Sequence, residues 1–392
     1  MAEAAIAEAA ASAPGARIDA GLVVAPHGTP APALPPGVRF LTAAHPLPDA
    51  HSVAAAQAAR ALLAGAGAGD LVLALLSGGG SALLAEPVPP LTLDDLARTT
   101  RALQSAGADI TLLNRVRRRI DLVKGGRLVT LAAPARVLCL AVSDVPGDDP
   151  AMIASGPFTP GADAPAGLVE EVERLGAALP PAVLTVLRPD AAHAPAGGDA
   201  GEPPSRALAG ADPGEPQAAA VRYQVVASNP VALDAAAAAA RSLGYDVASG
   251  SFPLEGEAAD CGRAVAAAAR GAAPGAALLF GGETTVRVRG RGRGGRNQEL
   301  ALAAAIDLAG TSNLVVGAAG TDGVDGSSPA AGGIVDGATA ARIAAAGIDP
   351  QAALADNDSH TALAAAGAQL LTGATGTNVM DVVVVLRARA DG

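Results

Sequence analysis

Short apolar runs alternate with longer helical patterns along the whole chain. LVLALL (71–76), RVLCLAV (136–142), YQVVAS (223–228), AALLF (276–280), NLVVGAA (313–319) and DVVVVL (381–386) are near-continuous apolar segments of strand length. Strands without a polar face belong in a sheet covered by helices on both sides. AAAQAARALL (54–63), NPVALDAAAAAARSLG (229–244) and NQELALAAAIDLA (297–309) supply helical patterns between them. The alternation predicts an α/β protein with right-handed crossovers and mostly parallel sheets. From about 189 to 219 the pattern stops in PDAAHAPAGGDAGEPPSRALAGADPGEPQ, rich in Pro, Gly and Ala. That segment predicts a linker or long surface loop between two α/β domains, residues 1–200 and 216–392.

In such folds ligands bind beyond the carboxyl ends of strands, so the turns that follow strands carry the candidate chemistry. Ser77-Gly78-Gly79-Gly80-Ser81 follows the first apolar run and opens a short helix. Its glycines let the backbone approach an anion, with helix amides pointing at it. The spacing fits neither a Walker A loop nor a dinucleotide fingerprint. The next run ends in Ser143-Asp144, followed by Gly147-Asp148-Asp149. Three carboxylates so placed can hold Mg²⁺ or take a proton from a substrate hydroxyl, Asp144 being the better functional candidate and Asp149 a helix cap. In LLFGGETTVRVRGRGRGGRNQE, residues 285–289 alternate as a half-exposed strand, Gly290 to Gly295 form a flexible loop, and Arg296 starts a helix. Arg296 there is the candidate anion contact. The last turn, GTDGVDG, offers Asp322 as a magnesium or hydroxyl ligand but lacks the spacing of a calcium loop.

Composition narrows the classes. At 392 residues two domains are the default, and 50% hydrophobic with 17% charged residues is globular. A net charge of −11 and scarce aromatics argue against nucleic-acid and anionic-membrane partners. Cys139 and Cys261 stand far apart in apolar surroundings and read as reduced packing residues. The N-terminal MAEAAIAEAAASAPGA lacks the positive charge of a signal peptide, and no apolar run is long enough to span a bilayer, so a cytoplasmic location is expected. Of 27 basic residues one, Lys124 in DLVKGGRL, is a lysine. A lysine kept in so arginine-rich a chain points to a site needing a compact ammonium. With Asn114, Arg115 and Arg117 upstream, it fits a phosphate point charge or carboxylate clamp. His45, flanked by prolines, reads as a turn residue. Glycine cradles, strand-end aspartates and isolated cations, with no Cys or His catalytic pair, suit phosphoryl transfer to a small anionic substrate.

SGGGSALL, NRVRRRIDLVKGGRL, SDVPGDDPAMIASGP, GGETTVRVRGRGRGGRNQE, GTDGVDG, NDS (357–359) and TGATGTNVMD (372–381) together resemble the successive motifs of the class II glycerate 2-kinases. The resemblance implies a Rossmann-like N-terminal domain joined to a C-terminal domain containing a MOFRL region at about 275–388. It implies Mg²⁺ and ATP, D-glycerate as substrate, 2-phosphoglycerate as product, and a monomer or homodimer. It implies Arg296, Lys124 and Asp144 in catalysis. Substrate and phosphate contacts would come from Ser77, Gly78, Gly79, Gly80, Ser81, Asn114, Arg117, Asp322 and Asn378, and metal contacts from Asp148 and Asp322. Many such proteins carry the label hydroxypyruvate reductase, so an NAD(P)H-dependent reductase and a non-catalytic anion-binding member are the alternatives. The chain departs from the family pattern at Arg119 (histidine), Asp121 (serine) and Ala374 (proline). It also opens on a segment resembling the helix after the family's first strand and Gly-Lys-Ala turn, so that strand and turn are expected to be missing.

Overall fold

The computed structural model describes residues 18–159, 167–188 and 220–389. The stretch 189–219 and the N-terminal MAEAAIAEAAASAPGA therefore lie outside the described residues. The chain divides into two compact units, one of Met1–Ala141 and Asp148–Val226, the other of Val142–Gly147 and Ala227–Gly392. No helix among the described residues is long and apolar enough to cross a membrane.

The first unit contains β1 (Gly21–Pro26), β2 (Val38–Ala43), α1 (Ala50–Ala64), β3 (Leu71–Leu76), α2 (Gly80–Leu83), α3 (Leu93–Ser105), α4 (Ile110–Ile120) and α5 (Arg127–Ala132). It continues through β4 (Arg136–Val142), α6 (Leu168–Leu175), α7 (Pro181–Leu187) and β5 (Val221–Ala227). β1 and β2 pair in parallel, and β3, β4 and β5 form a second sheet in which β3 and β4 are parallel. β5 thus joins the sheet of the preceding strands, across the segment expected to divide the domains. Helix starts follow local chemistry. Asp49 and Ser52 form a reciprocal capping box at α1, and Thr92 and Asp95 do so at α3. α3, α4, α6 and α7 bury Leu103, Val116, Ile120, Val172 and Val183 in one core, while Ala56, Leu128, Val137 and Cys139 fill another beside the sheet.

The second unit contains α8 (Asn229–Ser242), β6 (Asp246–Ser249), α9 (Ala258–Gly271), β7 (Ala276–Gly282), α10 (Arg296–Asp307), β8 (Leu314–Gly320) and β9 (Gly332–Asp336). It ends with α11 (Thr339–Ala345), α12 (Pro350–Ala355), α13 (Ser359–Ala365), β10 (Gln369–Leu370) and β11 (Asp381–Arg387). Its six strands run in the order β10-β9-β8-β11-β7-β6. β6 and β7 are parallel, but β11 enters antiparallel to both β7 and β8, and β9 is antiparallel to β8 and β10. The α/β class holds, with parallel pairing in the first unit and a mixed sheet in the second. α9 and α10 pack Val265, Leu300 and Leu308 against Phe280, Val316 and Val383 of that sheet.

The alternation at 285–289 does not make a strand. Thr285 forms one isolated bridge with Glu257, and Val288 is 76% exposed. Nor is 290–295 a free loop. The amides of Arg289 and Gly290 donate to Asn357 Oδ1 at 2.7 and 3.1 Å, Arg291 N to Asp356 Oδ1 at 3.1 Å, and Arg293 N to Asp358 Oδ1 at 3.0 Å. Side-chain acceptors some 65 residues away replace the missing ladder.

Candidate functional site

In the first unit a pocket of about 240 Å³ is lined by His45, Gly79, Ser81, Arg117, Asp121 and Lys124 among others. Gly79 has a left-handed φ of +83°, and a Cβ there would meet the His45 ring at 3.0 Å, so only glycine lets the turn and ring approach. His45 is therefore part of the pocket wall as well as a turn residue. Ser81 Oγ lies 2.9 Å from Ser155 Oγ, which donates to Asn114 Oδ1 at 2.8 Å. The α4 face thereby orients the Ser81 hydroxyl. α2 is a single turn of four residues, too short for the expected dipole to matter. Ser77 is exposed and Gly78 half-buried.

Lys124 lines the same pocket but is only 2% exposed. Its Nζ donates to the Asp121 carboxylate and, at 3.1 Å, to Leu84 O. Asp121 is also buried and accepts from Val123 N at 3.0 Å and Glu86 N at 3.3 Å. Burial pulls the Lys124 ammonium below the usual lysine range, Asp121 opposes this, and the Arg117 charge adds to the lowering. Burial likewise lowers Arg117 against the pull of Asp121. The lysine charge is thus committed to Asp121, leaving half-buried Arg117 as the cation toward the pocket.

In the second unit Arg296 is the first residue of α10. Its Nε and NH2 donate to the two oxygens of Asp381 at 2.6 and 2.9 Å, and NH1 lies 2.9 Å from Glu283 Oε1. Burial works against its charge, but Asp381, Glu283 and Asp325 hold it firmly protonated. Asp381 is 1% exposed and also accepts from Asn297 Nδ2 at 2.9 Å. Asp325 caps the helix from outside, accepting from Asn297 N at 3.1 Å and Gln298 N at 2.8 Å. A Cβ on Gly295 would lie 2.4 Å from that carboxylate, so glycine at this position admits the cap.

Glu283 is raised above the usual range by burial, against the pull of Arg296, with the charges of Asp381, Asp144 and Asp322 adding to the rise. Asp144 and Asp322 are half-buried, and Asp322 Oδ1 accepts Val324 N at 3.1 Å. Asn378 Oδ1 accepts Met380 N at 3.0 Å and so shapes its own turn. Asp148 belongs to the first unit, at a left-handed φ of 54°. The structure thus gathers Ser81, Asn114, Arg117 and Lys124 in one unit, and Arg296, Asp144 and Asp322 in the other. Asp381 and Glu283 are not singled out by the sequence, and Asp325 stands out there only as part of the GTDGVDG turn. Glu283 directly follows β7, the kind of position that singled out Asp144, whereas Asp381 is the first residue of β11 and stands at the opposite end of its strand.

Residues 1–188 match the family described as a domain of unknown function (DUF4147), and residues 276–381 match the MOFRL family. An Agrobacterium vitis protein provisionally named hydroxypyruvate reductase is 40% identical over 376 residues, 93% of this chain and 81% of that one. The D-glycerate 2-kinase of Thermotoga maritima is 37% identical over 351 residues, 88% of this chain and 79% of that enzyme. The crystal structure of glycerate kinase from Thermotoga maritima matches with a TM-score of 0.84 and 35% identity, over 98% of this chain and 88% of that one. On identity of that extent, the chain belongs to the glycerate kinase family.

Proposed function

We propose that the chain is a glycerate 2-kinase, transferring the terminal phosphoryl group of ATP to the 2-hydroxyl of D-glycerate. The observation that carries this is the Arg296 clamp: a guanidinium fixed by both oxygens of buried Asp381, with its remaining edge on Glu283. A cation oriented before substrate arrives suits a transition state whose charge is spread over phosphoryl oxygens. In the transfer the substrate hydroxyl oxygen bonds to phosphorus, the bond from phosphorus to the ADP oxygen breaks, and the hydroxyl proton passes to Asp144. Within the first unit, Arg117 with the Ser77–Ser81 turn and Asn114 offers contacts for an anionic group, and Lys124 positions that wall through Asp121. Asn378 supports the turn before β11.

The donor set fits a hard divalent cation. Asp322 and Asp144 offer carboxylate oxygens, and Mg²⁺ takes only one or two such groups beside substrate phosphates. Bound there, Mg²⁺ would neutralise phosphate charge. A cytoplasmic location belongs to this reading, since both cysteines are unpaired and buried. ADP release from Mg-ATP that depends on D-glycerate, without nicotinamide oxidation by hydroxypyruvate, is the expected result. Hydroxypyruvate-dependent NAD(P)H oxidation without ADP release would replace the proposal with a reductase.

A further inference from the structure

We propose that His27, Asp49 and His51 bind one divalent first-row transition ion with a preference for imidazole, for which Zn²⁺ is the probe. One ligand atom from each residue lies within 4.8 Å of the others, a spread that a single ion about 2.0–2.2 Å from each N or O donor can bridge. Asp49 Oδ2 is the shared corner, 2.9 Å from His27 Nε2 and 3.2 Å from His51 Nδ1. The two rings meet edge to face with centroids 5.1 Å apart.

The surroundings orient these donors. His27 Nδ1 lies 3.1 Å from Thr42 Oγ1. With the proton on Nδ1 and donated to that hydroxyl, the Nε2 lone pair faces the carboxylate, the outer-shell arrangement that fixes a metal-binding tautomer. The other oxygen of Asp49, Oδ1, accepts from Ser52 N at 3.0 Å, Ser52 Oγ at 3.2 Å and Ala44 N at 3.4 Å. That leaves Oδ2 for an ion, with the carboxylate plane already set by the α1 cap.

Without an ion, each imidazole must place a proton toward one oxygen. Binding moves each of those protons to the ring's other nitrogen and replaces two hydrogen bonds with metal bonds. Side-chain exposures of 45% for His27, 69% for His51 and 32% for Asp49 leave room for water in the remaining coordination positions. Two nitrogens and one oxygen select zinc, nickel or copper over Mg²⁺, which the carboxylate-only set of the second unit suits. The ligands come from the turn after β1 and the start of α1, while the supporting Thr42 lies on β2. An ion would therefore tie three elements together.

The test is calorimetric titration of the full chain with Zn²⁺ at about pH 7.5, beside its thermal midpoint with and without zinc. One equivalent should bind in the micromolar range and raise the midpoint. His27→Ala/His51→Ala should bind at least a hundredfold more weakly and show no zinc-dependent shift. Both side chains are exposed, and an unchanged far-UV spectrum and zinc-free glycerate kinase activity establish that the variant is folded. Thr42→Val should weaken zinc about tenfold by freeing the His27 tautomer. No uptake at millimolar zinc, or equal stoichiometry and affinity in the double variant, would overturn the assignment.

Discussion

Lys124 shows how far a residue's chemistry depends on its immediate partner. Its isolation among arginines marked it as special, but the packing that commits its charge to Asp121 is not visible in DLVKGGRL. Lys124→Met should cost about 3–5 kcal/mol, because it strands a buried carboxylate. Asp121→Asn/Lys124→Met should cost much less, since Asn keeps an oxygen for the amides of Glu86 and Val123. Equal losses in urea unfolding would mean that the pair is not the stabilising unit. Arg296 was legible as the basic start of a helix. Asp381 was not, because 85 residues separate them and only the sheet order joins them. Arg296→Lys loses the two-pronged contact with Asp381. It should lower kcat/KM at least tenfold, about 1.4 kcal/mol, with the thermal midpoint little changed, and undiminished kcat/KM would contradict the clamp. The cysteines match their reading as packing residues. Burial pushes the Cys139 thiol up to about 12 and raises Cys261 as well, so neither should be alkylated in the native protein near neutral pH, and both should be after unfolding.

Among the elements, existence was easier to read than direction. The six apolar runs all became strands, although two of them are not covered on both faces: β3 leaves Leu71 and Leu73 exposed, and no residue of β5 is fully buried. Nothing in DVVVVL says that β11 runs antiparallel between β7 and β8, since the pattern is the same in either direction. The 290–295 loop was misread because glycine states no conformational preference of its own, and its order comes from Asp356, Asn357 and Asp358. Local capping is more dependable. Asp95 accepts from Thr92 N at 2.9 Å and Thr92 Oγ1 at 2.7 Å, and the backbone bond followed by the hydroxyl bond holds its carboxyl below the usual value. A lowered native pKa means the cap stabilises fully above the unfolded value near 3.8 and is lost as pH falls through the native one. Asp95→Asn should therefore speed hydrogen exchange of the α3 amides at neutral pH, by about 0.5–1 kcal/mol of lost protection. The difference should close at strongly acid pH, and a difference independent of pH would contradict the cap.

For the whole molecule, the order of motifs carried more information than any one of them. Glycine turns, strand-end aspartates and isolated arginines are each common. Their succession over nearly the full chain is not, and it led to the family in which identity over 88% of the chain places it. What the order could not convey was how each unit holds its charges. In the first, hydroxyls and Arg117 face a pocket beside a neutralised lysine pair. In the second, three carboxylates surround a clamped arginine. Phosphorus NMR of the product formed from Mg-ATP and D-glycerate by the purified 392-residue chain tests this chemistry at its source. The 2-phosphoglycerate resonance should grow in step with ADP. A 3-phosphoglycerate resonance, or ATP consumed without any phosphoglycerate, would contradict it.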